Sequence, residues 1–323
     1  MRILVVGCGS IGKRHLKNLK DAGVEEIMAC DVSDENLEFA KNEAGAETFK
    51  DMDEALEKKP DAVMICTPPH LHLAMAKKVL EKGLNLFLEK PVAEKLDGLD
   101  ELEKLCDGKV VLVGYNLRFN PCLEEAKRLI EEGAIGRVMN IDAYYGNYLP
   151  NWRPNMDYRK VYSSQKDMGG GIILDCSHEI DYILWLMGKA RSVTCTATKA
   201  SSLELDVEDI AEVNFRFDDG RIAHAHLDFV RPDLRRTCDI VGEKGTISID
   251  LIEYKLRIFR DGKWEEKGFE GGPSIAYVRQ LAHFLECLKE KKQTRVKMDD
   301  GIETLRVSLA ARESSDKGEE VKL

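Results

Sequence analysis

The chain has no apolar run near the ~18 residues that a membrane-spanning helix needs. It has no CxxC pair. Its nine cysteines are scattered and odd in number, which argues for reduced thiols rather than a disulfide framework. It has no excess of basic residues: Asp and Glu number 58 against 48 Lys and Arg, a formal net charge of −10. A surface of that sign disfavours non-specific binding to nucleic acid. The first strand-like run begins at Arg2 and leaves no room for a signal peptide, so a cytoplasmic protein is expected. Internal repeats and low-complexity tracts are also missing. With 323 residues the chain can bury a large core, split between two domains.

What is present begins at the N-terminus. The apolar run Ile3-Leu4-Val5-Val6 leads into Gly7-Cys8-Gly9-Ser10-Ile11-Gly12, and a helix-like stretch follows to Lys20. A second strand-like run, Glu26 to Cys30, ends in Asp31, 19 residues after Gly12. This order of glycines, helix and acid is the fingerprint of a dinucleotide site. Gly7 permits a tight turn, Gly9 lets backbone approach a pyrophosphate, and Gly12 lets helix and strand pack closely. The phosphates then lie on free N–H groups at the helix N-terminus. A turn without any ligand would need no acid at that spacing. A carboxylate at Asp31 accepts hydrogen bonds from both ribose hydroxyls of NAD and repels the 2′-phosphate of NADP. The acidic stretch Val32-Ser33-Asp34-Glu35 supplies no Arg or Lys to offset it, so NAD is read over NADP. The other reading of Asp31 is a helix N-cap, a role open to Ser33 and Asp34 as well.

The first 120 residues alternate strand and helix signals. Strands are expected at 2–7, 26–31, 62–67, 84–89 and 110–115, with helices between them, for example 51–58, 73–82 and 96–106. That alternation predicts right-handed βαβ units and a parallel sheet covered on both faces. Ligands bind such sheets at the carboxyl ends of the strands. Those ends carry Gly7, Asp31, Thr67-Pro68-Pro69, Glu89-Lys90-Pro91 and Tyr115-Asn116. From about residue 121 a helix-like stretch, 121–132, gives way to long β-rich runs at 137–148, 190–200, 207–217, 221–230, 237–241, 244–250 and 254–260. Asp218-Asp219-Gly220 and Arg260-Asp261-Gly262 are hairpin turn signals. The pattern predicts an open antiparallel meander with helices on one face, its other face covered by a second subunit. Helices are expected near 277–289 and 301–314. The fold class is therefore α/β in two contiguous domains, 1–120 and 121–323.

With these motifs in place, the chain resembles the glucose-fructose oxidoreductase, inositol dehydrogenase and rhizopine-catabolism (Gfo/Idh/MocA) family over nearly its whole length. The carrying residues are the glycine segment, Thr67-Pro68-Pro69-His70-Leu71-His72, Glu89-Lys90-Pro91, Gly114-Tyr115-Asn116-Leu117-Arg118-Phe119 and Gly169-Gly170-Gly171-Ile172-Ile173-Leu174-Asp175-Cys176-Ser177-His178. The resemblance implies an N-terminal Rossmann domain, a doubly wound parallel sheet. After it comes a C-terminal α/β domain with a large open, mostly antiparallel sheet. It implies hydride transfer between NAD(P) and a hydroxyl of a sugar, sugar derivative or cyclitol, and dimers or tetramers built through the open sheet. The expected cofactor contacts are Gly7, Gly9, Ser10, Ile11, Gly12, Asp31, Thr67, Pro68, His72, Glu89 and Lys90. The resemblance also suggests a cis bond between Lys90 and Pro91.

Lys90 and His178 are the expected proton-handling pair. An ammonium beside a carbinol oxygen favours the developing alkoxide, and a histidine near neutrality suits removal of a hydroxyl proton. Otherwise Lys90 is a solvated lysine and His178 a packed helix histidine. Asp175 and His178, three apart on an expected helix over 172–186, share a face. The family often spaces this pair by four, so either Asp175 is the matching acid or only His178 carries over. Asp181 is read as structural or as helix surface. His224 and His226 alternate along one strand face, and two histidines without a third ligand make no metal site.

The segment from Tyr148 to Arg159, with Trp152, Arg153, Tyr158 and Arg159, is rich in aromatic and guanidinium groups. With Asn116 and Arg118 these are candidate substrate contacts, fitting an anionic or nucleotide-linked sugar. A loop that orders itself or packs on a partner subunit is the equal alternative. Two other functional readings stand beside the sugar dehydrogenase. One is a reductase of a non-sugar substrate. The other is a non-catalytic NAD-binding sensor, against which the retained Lys90 and His178 argue.

Overall fold

The computed structural model describes residues 1–152 and 156–323. The chain folds into two compact units. Met1–Asn116 joins with Tyr277–Ile302, and Leu117–Ala276 joins with Glu303–Leu323. The contiguous division at residue 120 is corrected accordingly, because a C-terminal stretch returns to the first unit.

The first unit is built on six strands: β1 (Arg2–Val6), β2 (Glu26–Cys30), β3 (Glu47–Phe49), β4 (Ala62–Ile65), β5 (Asn85–Leu88) and β6 (Val111–Val113). They run parallel in the order β3-β2-β1-β4-β5-β6, which reverses direction between β1 and β4. Ile3 to Val6 and Ala62 to Ile65 are all buried, as a sheet covered on both faces requires. The short β3, half-buried at Thr48 and Phe49, carried too little apolar signal to be anticipated. The returning stretch closes the far edge. Phe284 packs edge-on against Phe87 at 5.5 Å. The Thr294 hydroxyl donates to the Val111 carbonyl, and the Val113 N–H donates to Val296 O at 3.0 Å. The Lys90–Pro91 peptide bond is cis.

The second unit holds nine strands: β7 (Val138–Gly146), β8 (Ser192–Thr198), β9 (Ile210–Arg216), β10 (Ile222–Asp228), β11 (Arg235–Gly242), β12 (Gly245–Asp250), β13 (Lys255–Arg260), β14 (Lys263–Gly268) and β15 (Val321–Lys322). Their order is β14-β13-β12-β11-β7-β10-β9-β8-β15. All neighbours are antiparallel except β7 and β10, which pair in parallel from Asn140–Ile222 to Gly146–Asp228. The expected simple meander is corrected on that point. Strands β14 and β15 were also unforeseen, being charged and very short respectively. One face buries Ile141, Ala143, Val213, Ala225, Leu227 and Ile240, with Ile180 and Ile183 of the helix His178–Met187 in the same core. Alternate residues Asp142, Tyr144, Glu212, His224 and His226 occupy the opposite, polar face.

The expected helix over 172–186 is two pieces, Ile172–Asp175 and His178–Met187. Cys176 leaves helical geometry at φ −99° and ψ 28°, and the Glu179 N–H reaches back only to Cys176 O at 3.4 Å. Tertiary bonds hold the first piece apart: the Ile172 N–H donates to Glu208 O at 3.1 Å, and Asp175 accepts from the Tyr162 hydroxyl.

Candidate active site

At the carboxyl end of β1 the chain turns sharply. Gly7 has φ +86°, and a Cβ there would lie 2.8 Å from the Cys66 and Thr67 backbone. A Cβ on Gly12 would collide with the Gly7 carbonyl oxygen, whereas a Cβ on Gly9 would meet open space. Two of the three glycines are thus required by packing. Gly9 leaves room for something outside the protein, and a pyrophosphate on the helix Ser10–Asp21 fits that cradle. The N-cap Gly9 brings no side chain to the first-turn N–H groups opened by Ser10 and Ile11. Asp31 accepts from the Cys8 N–H at 2.6 Å with one oxygen and from the Ser33 N–H at 2.8 Å with the other. Ser33, not Asp31, caps the following helix. A carboxylate accepts about four hydrogen bonds, so the two used here leave capacity for ribose hydroxyls. The Cys8 thiol is pushed up to about 12, first by burial and then by Asp31. It is a filler, not a nucleophile.

The neighbouring strand ends carry the other candidates. Pro68 caps the helix Pro69–Glu81, and the Thr67 hydroxyl lies 3.6 Å from the Met75 sulfur. His72 is fully buried, with Nδ1 2.7 Å from the Pro91 carbonyl and Nε2 2.7 Å from the Thr67 carbonyl. Burial lowers its pKa, against the pull of the two carbonyls. Both ring nitrogens thus face protein carbonyls, which accords with a mainly structural reading of His72. Glu89 also has protein partners. It is 6% exposed, its Oε1 lies 2.7 Å from His15 Nε2, and its Oε2 accepts from the Lys90 N–H at 3.3 Å. Lys90 itself is half-buried just beyond β5. Asn116 is buried at the start of a short 3-10 turn.

In the second unit, His178 is 9% exposed at the head of its helix, and Asp175 is buried against Tyr162. The next acids are matched by arginines. Glu179 binds Arg236 at 2.8 and 3.0 Å, and Asp181 binds Arg118 in the same bidentate way. Arg118 is 3% exposed, and its fork is engaged in a buried pair with Asp181. Asp181 is likewise interior, not helix surface. Sequence spacing carried no signal for either pairing, since the partners lie far apart along the chain.

The described residues of the aromatic segment have partners within their own unit. Trp152 donates its indole N–H to Asn147 O at 3.1 Å and packs edge-on against Tyr145 and Phe229. The Tyr158 hydroxyl accepts from the Glu204 N–H at 3.1 Å, and Arg159 pairs with Asp157 and Glu204, each at 2.8 Å. These partners favour the self-ordering reading for Trp152, Tyr158 and Arg159. Arg153 lies outside the described residues. Among the described residues no cluster of His, Cys, Asp and Glu suits a metal ion, and no helix is long and apolar enough to cross a membrane.

A parallel sheet of this strand order, with a glycine cradle and an acid closing the second strand, defines a dinucleotide-binding domain. The chain belongs to the Gfo/Idh/MocA oxidoreductase family. Residues 1–117 match the family's NAD-binding Rossmann model, and residues 123–248 match its C-terminal domain model. It is 29% identical over 343 residues to the scyllo-inositol 2-dehydrogenase (NAD(+)) of Bacillus subtilis strain 168, covering 100% of this chain and 96% of that one. It is 28% identical over 352 residues to the myo-inositol 2-dehydrogenase of Thermotoga maritima, covering 100% and 98%. Its fold matches the crystal structure of myo-inositol 2-dehydrogenase from Lactobacillus plantarum with a TM-score of 0.87 at 23% identity, over 100% of this chain and 99% of that one.

Proposed function

We propose that this protein is an NAD-dependent dehydrogenase that oxidises a secondary hydroxyl of a cyclitol, sugar or sugar derivative, and reduces the corresponding ketone in reverse. One observation carries the reading: Gly9, Asp31, Thr67 and Lys90 all stand at the carboxyl ends of neighbouring parallel strands, beside a cradle that a Cβ would fill. Asp31 favours NAD over NADP, because a second negative charge beside it would be repelled. The two relatives named as inositol dehydrogenases, matched over nearly their full length, support a cyclitol within the substrate range.

The bound nicotinamide supplies the acceptor for a hydride. His178 takes the hydroxyl proton as the carbon–oxygen bond becomes a carbonyl, and the ammonium of Lys90 stabilises the developing oxyanion. Asp175, held by Tyr162, orients the proton-handling end of that helix pair. The polar sheet face around Tyr144 and His226 serves assembly into a homodimer or homotetramer, and the protein works in the cytoplasm.

The test is a substrate panel of inositols, free sugars, sugar acids and nucleotide sugars, each offered with NAD and NADP and followed by NADH absorbance. Substrate-dependent NADH formation, lost in Lys90→Ala and His178→Ala, is expected. Near-full turnover in Lys90→Met would refute this mechanism. Tight NAD binding with no turnover anywhere would favour a sensor.

A further inference from the structure

Lys90 is flanked in sequence by Glu89 and Pro91, and each neighbour is held by a different buried histidine. His15 lies on the helix Ser10–Asp21, which starts at the glycine cradle, and its Nε2 meets Glu89 Oε1 at 2.7 Å. His72 lies on the helix Pro69–Glu81, which starts just after Thr67, and its Nδ1 meets the Pro91 carbonyl at 2.7 Å. Both histidines are 0% exposed. A buried polar side chain is costly unless bonded, so an interior position that only fills space is served better by an apolar residue. Here each ring directs one nitrogen to the same three-residue turn, the other nitrogen of His72 facing the Thr67 carbonyl at 2.7 Å. The surroundings preserve the arrangement. Phe87 and Tyr277 pack edge-on to the His15 ring at 5.0 and 6.2 Å. Gly114 leaves the space that Glu89 needs, since a Cβ there would stand 2.7 Å from Glu89 Oε2. Glu89 in turn accepts the Lys90 N–H at 3.3 Å.

We propose that His15 and His72 are positioning residues for Lys90, holding it from either side through Glu89 and the Pro91 carbonyl. The inference rests on the reading that Lys90 acts on the reacting oxygen. Both helices begin at the edge where the dinucleotide binds, so the same two elements that seat the cofactor aim the lysine. A misaimed ammonium loses transition-state stabilisation while cofactor affinity is kept.

The experiment compares His15→Ala, His15→Gln, His72→Ala and His72→Gln with the parent and with the exposed-site control His70→Ala. It uses three readouts on the full chain. The first is the acetylation rate of Lys90 relative to Lys20 and Lys41, by mass spectrometry with and without NADH. The second is kcat and KM on the panel substrate, and the third is Tm. Each alanine variant is expected to lower kcat about 10- to 100-fold with KM for NAD unchanged. Each is also expected to alter Lys90 acetylation several-fold while Lys20 and Lys41 keep parent rates. His15→Gln retains a donor toward Glu89 and is expected to recover most of the loss, with His72→Gln intermediate. Should the alanine variants not fold, the two glutamine variants carry the comparison. A lowered Tm with parent-like Lys90 acetylation and kcat would overturn the proposal and leave both histidines as packing. Full turnover in Lys90→Ala would instead refute the dehydrogenase mechanism, and the acetylation readout would still decide the positioning.

Discussion

Arg118 and Asp181 meet as a bidentate ion pair, with Nε 3.0 Å from Oδ2 and Nη2 2.8 Å from Oδ1. Neither side chain has more than 4% of its surface exposed. Removing one member leaves a buried charge without its counterion. Arg118→Met is therefore expected to cost about 3–5 kcal/mol, and Arg118→Met with Asp181→Leu considerably less. Urea titration gives both numbers. A single variant within about 1 kcal/mol of the parent would mean that the pair behaves as a surface pair does.

The glycine cradle makes a contrast between two neighbouring substitutions. Gly12→Ala drives a methyl into the Gly7 carbonyl and should lower Tm as well as NADH binding. Gly9→Ala meets open protein space. It should leave Tm near the parent while NADH binding, read by fluorescence, is lost. Intact binding in Gly9→Ala would place the phosphates elsewhere.

The proposed preference for NAD rests on Asp31, and Val32 beside it is 89% exposed. Asp31→Ser with Val32→Arg should move the NADP-to-NAD preference by about 10- to 100-fold, the worth of a charge-assisted hydrogen bond. Because Asp31 also anchors the Cys8 N–H, a merely loosened loop would weaken both cofactors equally. The ratio of the two dissociation constants separates these outcomes.

His226 lies between Glu212 and Asp228, at 2.6 and 2.9 Å, and stacks on Tyr144 at 4.3 Å. Burial lowers its pKa, but the bonds to Asp228 and Glu212 outweigh that and raise it above the ordinary 6.5. Its charged form is therefore favoured in the folded chain. The resulting stabilisation is complete below pH 6.5 and disappears as pH rises through the raised value. The stability gap between the parent and His226→Gln should narrow as pH rises over that interval. A gap that widens with pH would reverse the assignment.

The parallel sheet was legible because its strands are continuous apolar runs punctuated by Gly7, Asp31 and Pro91 at their carboxyl ends. Such punctuation is local and survives any tertiary arrangement. The glycine cradle and Lys90 at its strand end were readable for the same reason. The partners of Arg118 and Glu89 were not legible, because Asp181 and His15 are brought near only by folding. The helix break at Cys176 was hidden likewise, since Glu208 and Tyr162 impose it from elsewhere in the chain. The segment near Trp152 has the composition of a binding loop, but Trp152, Tyr158 and Arg159 find partners within their own unit.

The stretch Tyr277–Ile302 supplies Phe284, Thr294 and Val296 to the sheet formed by the first 116 residues. A ribosome translating this message delivers β1 to β6 early and their last packing partners late. During synthesis the nascent dinucleotide unit waits with the outer edge of β6 uncovered until nearly the whole polypeptide has emerged. Truncated translation products ending before residue 277 thus carry all six strands but leave the outer edge of β6 without Thr294 and Val296.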